Sequence, residues 1–270
     1  MEFDVGRHSA VPMEPRALLA DVDPASGVLS IYGMTKVPVF NRDVLAAMLD
    51  VDENLIHVHA MDAGGGFGVR GEFYPEDFLV PWLARETRRP VKWVEDRAEH
   101  LVAVNHSRQQ HHRIAAAFDQ DGLLLGMRDD VLHDNGAYAR THGIIVPELT
   151  LAMLPGPYRV PAFAGRVRVM LTNKTPCGTY RAPGRFEGTV VREQLLDVAA
   201  DKLGLDRVEF RRRNLLVTGE LPHTREMSTL GTDVVLDSGD YVGLLDKAMA
   251  EADRLGYPAE LTALRAEGRT

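Results

Sequence analysis

Cysteine is nearly absent from this chain: Cys177 stands alone in 270 residues. One thiol excludes an internal disulfide, an iron–sulfur cluster held by four thiolates of this chain, and a Cys-rich zinc site. Also lacking is any apolar run of the ~18–20 residues a membrane-spanning helix needs, and the first residues show no basic-then-apolar leader pattern. A soluble, cytoplasmic protein with no membrane contact is the expectation. There is no basic excess either: 31 Lys and Arg stand against 39 Asp and Glu, a net charge of −8. Non-specific nucleic-acid binding needs the opposite field, so a nucleic-acid partner is not expected. The one basic run, Arg211-Arg212-Arg213, closes a helical pattern, where it complements the helix dipole as a solvated end. The chain has no low-complexity tract, internal repeat, G-x-x-x-x-G-K-[ST] loop, H-E-x-x-H pair or G-x-S-x-G elbow. Of ten histidines, His106, His111 and His112 lie close together, but His111 and His112 point to opposite faces of a strand. No protein ligand to a metal is assigned.

With 45% hydrophobic and 26% charged residues, the chain can build a substantial core. Arg16–Val22 and Val28–Gly33 read as strands around the turn Asp23–Gly27, where Pro24 fixes φ and Gly27 supplies a left-handed position. Asn41 is placed to cap a helix over Arg42–Leu49. Leu55–Ala60 reads as a strand, Pro75–Arg88 as a helix with acids in its first turn, and Val91–Glu95 as a short strand. Gln109–Phe118 and Leu123–His133 form a hairpin through Asp119-Gln120-Asp121-Gly122. Asn135–Tyr138 reads as a loop, Val146–Leu154 as a short helix and Gly165–Thr172 as a strand. Helices follow from Phe186, with Asp206 capping one that ends at Asn214. Pro222–Asp237 is less regular. Ser238 is placed to cap a helix reaching Gly256, and a last one covers Ala259–Gly268. The expected class is α+β: mixed sheets and hairpins with packed helices accumulating late.

Two loops carry the chemistry. Four of the five residues Gly64-Gly65-Gly66-Phe67-Gly68 are glycine. Such density lets backbone amides approach a bulky or anionic ligand closely. Gly66-x-Gly68-x-x-Gly71 also matches the dinucleotide fingerprint, but its context opposes that reading. His57 and His59 interrupt the preceding strand, and Pro75 would break a helix running out of the fingerprint. The second loop, Tyr180-Arg181-Ala182-Pro183-Gly184-Arg185, sets two arginines around a Pro-Gly turn, a donor set suited to phosphate or carboxylate.

In order and spacing, four stretches resemble the large, molybdopterin-binding subunit of the molybdenum hydroxylases, the family of xanthine dehydrogenase, aldehyde oxidase and aerobic carbon monoxide dehydrogenase. They are Gly64–Gly68, Asp134-Asn135-Gly136-Ala137-Tyr138, Thr179–Arg185 and Asp206–Leu215. The resemblance implies a fold like the molybdopterin-binding domain of those subunits and a cofactor of molybdenum–molybdopterin, in its plain or cytosine dinucleotide form. Gly64, Gly65, Gly66, Phe67 and Gly68 would wrap it, with Arg181, Ala182 and Gly184 on the second loop. Iron–sulfur and FAD groups would sit only on partners, a 2Fe-2S small subunit and an FAD-binding medium subunit. The implied reaction is hydroxylation of aldehydes or N-heterocycles with water as the oxygen source.

Departures narrow the substrate. Lys36 stands where purine and aldehyde members often carry glutamine. Arg70 is followed by Gly71, so the substrate-side acid would be Glu72, offset by one. Pro183 replaces an aromatic residue and Ala182 a cysteine, which disfavours xanthine-like and carbon monoxide substrates. Residues 1–237 are expected to form the first part of the molybdopterin-binding domain, and 238–270 a helical segment leading toward a second part. The family's catalytic glutamate belongs to that second part, so a truncated or split segment, inactive alone and partnered by the rest of the large subunit, is expected. Exposed apolar surface should remain where that part packs. Two other readings stay open: a non-catalytic remnant or assembly module docking on a full-length subunit, and an NAD(P)-binding dehydrogenase built on Gly66-x-Gly68-x-x-Gly71.

Overall fold

In the computed structural model, which describes residues 1–269, two four-stranded sheets each carry a pair of helices. The chain runs through β1 (Glu2–Val5), β2 (His8–Ser9), β3 (Ala17–Val22), β4 (Leu29–Gly33), α1 (Pro38–Leu49), β5 (Ile56–Ala60), α2 (Pro75–Thr87), β6 (Val91–Val94), α3 (Arg97–Ala103), β7 (His106–Ser107), β8 (Gln110–Phe118), β9 (Leu124–Gly136), α4 (Ile145–Met153), β10 (Phe163–Leu171), α5 (Arg185–Leu203), α6 (Arg207–Asn214), β11 (His223–Thr229), β12 (Thr232–Leu236), α7 (Tyr241–Arg254) and α8 (Tyr257–Ala266).

The strand orders are β5-β4-β3-β6 and β1-β8-β9-β10. Each sheet contains one tight hairpin and one parallel pair. The hairpins are β3–β4 and β8–β9. Their turns close on Asp23, whose carboxylate accepts from the amides of Ala25 and Ser26, and on Asp119, which accepts from Asp121 and Leu123. The parallel pairs, β4–β5 and β9–β10, are each joined through a helix, α1 and α4. Parallel neighbours require such a crossover.

Apolar alternation fixes which faces are covered. Ala20, Leu29, Ile31 and Ile56 of the first sheet pack against Leu45 and Ala46 of α1 and Val80 and Ala84 of α2. Ile114 and Met127 of the second sheet pack against Val191 and Leu195 of α5. A third cluster joins Leu196, Phe210 and Leu215, with Tyr241, Val242 and Leu245 of α7 against it. A fourth, of Ala10, Val69, Tyr74 and Val104, lies directly beneath the glycine loop. Among the described residues, no helix is long and apolar enough to cross a membrane.

Several expectations change. The first helix starts at Pro38, not Arg42: proline presets φ at its first turn, and Asn41 is buried inside it, donating to Thr35 Oγ1. Asn135 and Gly136 continue β9 instead of forming a loop: Leu171 of β10 pairs with Gly136, and Asn135 is the extra residue at a register shift. The irregular stretch 222–237 is the hairpin β11–β12, whose tip residues Leu230 and Gly231 both take positive φ. Asp240, not Ser238, caps α7 by accepting from the Gly243 amide. Asp96 and Glu99 form a capping box on α3. The basic run is not simply solvated. Arg211 pairs with Glu193 and Asp197, and Arg212 reaches Asp246 of α7. The β10 edge leaves Val169, Met170 and Leu171 exposed.

Candidate cofactor site

The chain leaves β5 at Ala60 and enters the glycine loop. The loop is pinned at its start: the Gly64 amide donates to Glu14 Oε2 (2.9 Å) and the Glu14 amide to Gly64 O (3.1 Å). Gly65, Phe67 and Gly68 then take φ of 103°, 50° and 104°. At Gly68 glycine is needed twice over. Its backbone conformation is one L side chains rarely adopt, and a Cβ there would lie 2.5 Å from Thr179 Cγ2. The amides of Gly65, Gly66, Phe67 and Gly68 donate to no acceptor among the described residues. The Phe67 ring, 47% exposed, stands beside them.

The second loop is brought against the first by one backbone bond, from Arg181 N–H to Phe67 O (2.8 Å). Ala182 has φ of 56°, and Gly184 (φ 71°) would place a Cβ 2.5 Å from both Thr150 N and Val146 O of α4. Arg108, buried and itself at φ 81°, holds this loop from below. It donates to the carbonyl of Arg181, to that of Ala182 (3.2 Å) and to Glu187 Oε2 (3.2 Å). Its guanidinium stacks on Phe186 (4.3 Å) and Tyr180 (4.9 Å). Burial pushes the Glu187 carboxyl above its ordinary value, and Arg108 opposes this. A second buried support links the loops: Asn105 donates to Thr179 O (3.1 Å), and its Oδ1 meets the Tyr74 hydroxyl, which also reaches Val69 O (2.8 Å).

The structure therefore brings Gly64–Gly68, Arg181, Ala182 and Gly184 to one place. The side chains of Arg181 and Arg185 are exposed and have no hydrogen-bond or ion-pair partner among the described residues. The substrate-side candidates lie close by but differ in direction. Arg70 turns inward, donating to Glu14 O (2.7 Å), Pro15 O (3.1 Å) and Glu14 Oε2 (3.1 Å). Glu72 is 1% exposed; its Oε1 accepts from His142 Nδ1 (3.0 Å) and its Oε2 has no partner among the described residues. Lys36 donates its amide to Arg70 O (3.1 Å) and runs its exposed side chain past Gly71. No local pattern marks Asn105, Arg108, His142 or Glu187 in the sequence. Cys177 is buried, and burial pushes its thiol up to about 12, so it is no nucleophile.

No helix starts in Gly66-x-Gly68-x-x-Gly71. Residues 69–71 form a single 3-10 turn, α2 begins at Pro75, and β5 lies at a sheet edge. That is not a dinucleotide-binding crossover. What the two loops offer is a row of free amides, a bare-backbone cradle and an unpaired arginine. This donor set fits an anionic, oxygen-rich group such as the phosphate of molybdopterin.

The fold and this loop pair define a cofactor-binding domain. A family model described as the molybdopterin cofactor-binding domain matches residues 1–215. The chain is 41% identical over 268 residues to the 6-hydroxypseudooxynicotine dehydrogenase complex subunit gamma of Paenarthrobacter nicotinovorans, covering 99% of this chain and 34% of that one. It is 36% identical over 262 residues to the nicotine 6-hydroxylase large subunit of the same organism, covering 96% and 31%. Quinoline 2-oxidoreductase from Pseudomonas putida 86 superposes with a TM-score of 0.92 at 33% identity, over 99% of this chain and 34% of that one. The chain thus belongs to the molybdopterin cofactor-binding domain family. It spans about a third of the length of these relatives.

Proposed function

We propose that this chain supplies the molybdopterin-facing loops of an oxidoreductase that hydroxylates a ring carbon of an N-heteroaromatic substrate, with water as the oxygen source. One observation carries the reading: the Arg181 N–H to Phe67 O bond joins two loops, one with four free amides and the other with an unpaired arginine. The names of the relatives, which cover nicotine, a hydroxylated nicotine derivative and quinoline, support the substrate class. Bound molybdopterin would supply the two-electron redox centre. The Gly65–Gly68 amides would donate to its oxygen atoms, Arg181 would offset its negative charge, and Phe67 would exclude water from one side. Arg108 and Asn105 keep both loops in register. The remaining part of the large subunit, with the catalytic glutamate, and the iron–sulfur and FAD subunits complete the enzyme in the cytoplasm. The cofactor is the plain or the cytosine dinucleotide form.

The test is metal and pterin content. The tagged chain, purified with its complex from molybdate-fed cells, should carry molybdenum and fluorescent oxidised pterin in equal amounts, and cytidine monophosphate after hydrolysis only if the dinucleotide form is bound. Arg181→Ala should lower both together. A complex with neither molybdenum nor pterin refutes the reading.

A further inference from the structure

We infer that His142, set by the buried carboxylate of Glu72, is the side chain that reads the substrate ring at this site, with Lys36 beside it. The inference rests on the hydroxylase reading above and adds a residue and a substrate feature to it.

Glu72 follows the glycine loop directly, yet its head is sealed. Its Oε1 lies 3.0 Å from His142 Nδ1 and 3.4 Å from the Thr179 amide. A Cβ on Gly178 would come within 2.5 Å of that same oxygen and 2.6 Å of Asn105 Nδ2. Nothing larger than glycine fits behind it. An ionised carboxylate only accepts, so the hydrogen between the two groups sits on His142 Nδ1. The other nitrogen, Nε2, is then an acceptor in the neutral ring. Among the described residues, Nε2 has no partner, and the side chain is 30% exposed.

Gly71, itself buried, lies beside the His142 ring. The point a Gly71 Cβ would occupy lies 3.9 Å from His142 Cε1, 4.0 Å from Lys36 Nζ and 3.3 Å from Lys36 Cδ. The imidazole and the Lys36 ammonium therefore both stand beside the buried Gly71, three residues beyond Gly68. The clasp is buried at the carboxylate and 30% exposed at the imidazole, the arrangement by which an outer carboxylate aims a working histidine. The pair of groups matches a flat ring that presents an N–H or O–H beside a carbonyl or oxyanion, which is a hydroxylated N-heteroaromatic in its lactam or phenolate form. A ring nitrogen without a neighbouring oxygen satisfies only one of the two. Glu72 acts through His142 and is a positioning residue.

The test uses the full chain labelled with 15N-histidine, and the assembled complex. In the chain, His142 should show a protonated Nδ1 and a free Nε2. The Glu72→Gln variant, whose amide both donates and accepts, should lose that single tautomer. Adding 2-pyridone should move the Nε2 resonance; unsubstituted pyridine at equal concentration should move it far less. Lys36→Met should weaken 2-pyridone binding at least ~10-fold, the scale of a lost charge-assisted hydrogen bond. In the complex, His142→Ala should raise KM for a hydroxylated heteroaromatic by ~10-fold or more, with molybdenum content unchanged and kcat much less affected. Both His142 and Lys36 are partly or fully exposed, and a thermal melt checks that the variants fold. Equal responses to 2-pyridone and pyridine, or an unchanged KM in His142→Ala, overturn the inference. Molybdenum and pterin present with no 2-pyridone response sinks the dyad alone. A 2-pyridone response in a complex lacking molybdenum upholds the dyad and refutes the hydroxylase reading.

Discussion

Replacing Gly68 by alanine tests whether the loop pair depends on bare backbone. Three costs apply at this position. Holding a non-glycine residue at φ 104° costs on the order of 1–3 kcal/mol. The new Cβ would stand 2.5 Å from Thr179 Cγ2 and 3.3 Å from Thr179 O, so one loop must move away from the other. That movement loosens the Arg181 N–H to Phe67 O bond, worth about 1 kcal/mol net. Together they amount to about 3 kcal/mol. In a chain of this size such a loss lowers Tm by roughly 6–12 °C. If it falls instead on the loops' ability to hold cofactor, affinity drops about 100-fold. The assay is a thermal melt paired with molybdenum content per chain. Two controls separate the causes. Gly204→Ala carries a milder left-handed backbone penalty (φ 66°) with nothing within 4 Å of its Cβ; it should lower Tm by only a few degrees and leave molybdenum content alone. Thr179→Ser removes the clashing methyl, so the Gly68→Ala/Thr179→Ser double variant should regain part of the loss. Gly68→Ala with unchanged Tm and full molybdenum content, or a double variant no better than the single, would refute the reasoning.

Three further outcomes follow from single groups. Asp206 accepts from the amides of Val208 (3.0 Å) and Glu209 (2.9 Å) at the start of α6; Asp206→Ala should cost about 1 kcal/mol in denaturant melts, and an unchanged midpoint would show that the cap contributes nothing. Burial, reinforced by the nearby Arg7 charge, holds His133 at about 4 against an ordinary 6.5. The unfolded chain takes up that proton first, so the stability from keeping His133 neutral is full above pH 6.5 and declines as pH falls toward 4. His133→Gln should flatten the decline of Tm across that window. Cys177, with its thiol pushed up to about 12 by burial, should resist iodoacetamide in the native chain at pH 8 and react once urea unfolds it; fast native labelling would contradict its burial.

The elements that could be read from sequence are those specified locally. The turns Asp23–Gly27 and Asp119–Gly122 are Asp carboxylates bonded to amides two to four residues on, with glycine at positive φ, and both hairpins follow. The hairpin at 223–236 is hidden because Leu230, a residue that rarely takes positive φ, occupies the turn beside Gly231. β1 and β2 exist only through their partners β8 and β7, so nothing local specifies them. Resemblance placed the substrate-side candidates by position, and position does not say where a side chain points. Arg70 closes on Glu14 and Pro15, and Glu72 turns under the loop to His142.

The same limit explains what the glycines reveal. A glycine held against another segment records a neighbour without naming it. Gly68 is bare because of Thr179, Gly184 because of the α4 backbone, and Gly178 because of Glu72 and Asn105. Each neighbour is distant in sequence, so the glycines mark where the site lies, while the side chains pressing on them appear only after folding. The supports under both loops, Tyr74–Asn105, Arg108–Glu187 and Glu72–His142, are polar pairs with at least one buried member and long sequence separation. Stripping one member from the buried Arg108–Glu187 pair leaves an uncompensated charge costing about 3–5 kcal/mol. The residues that hold the loops together therefore lie away from the motifs that first mark the site.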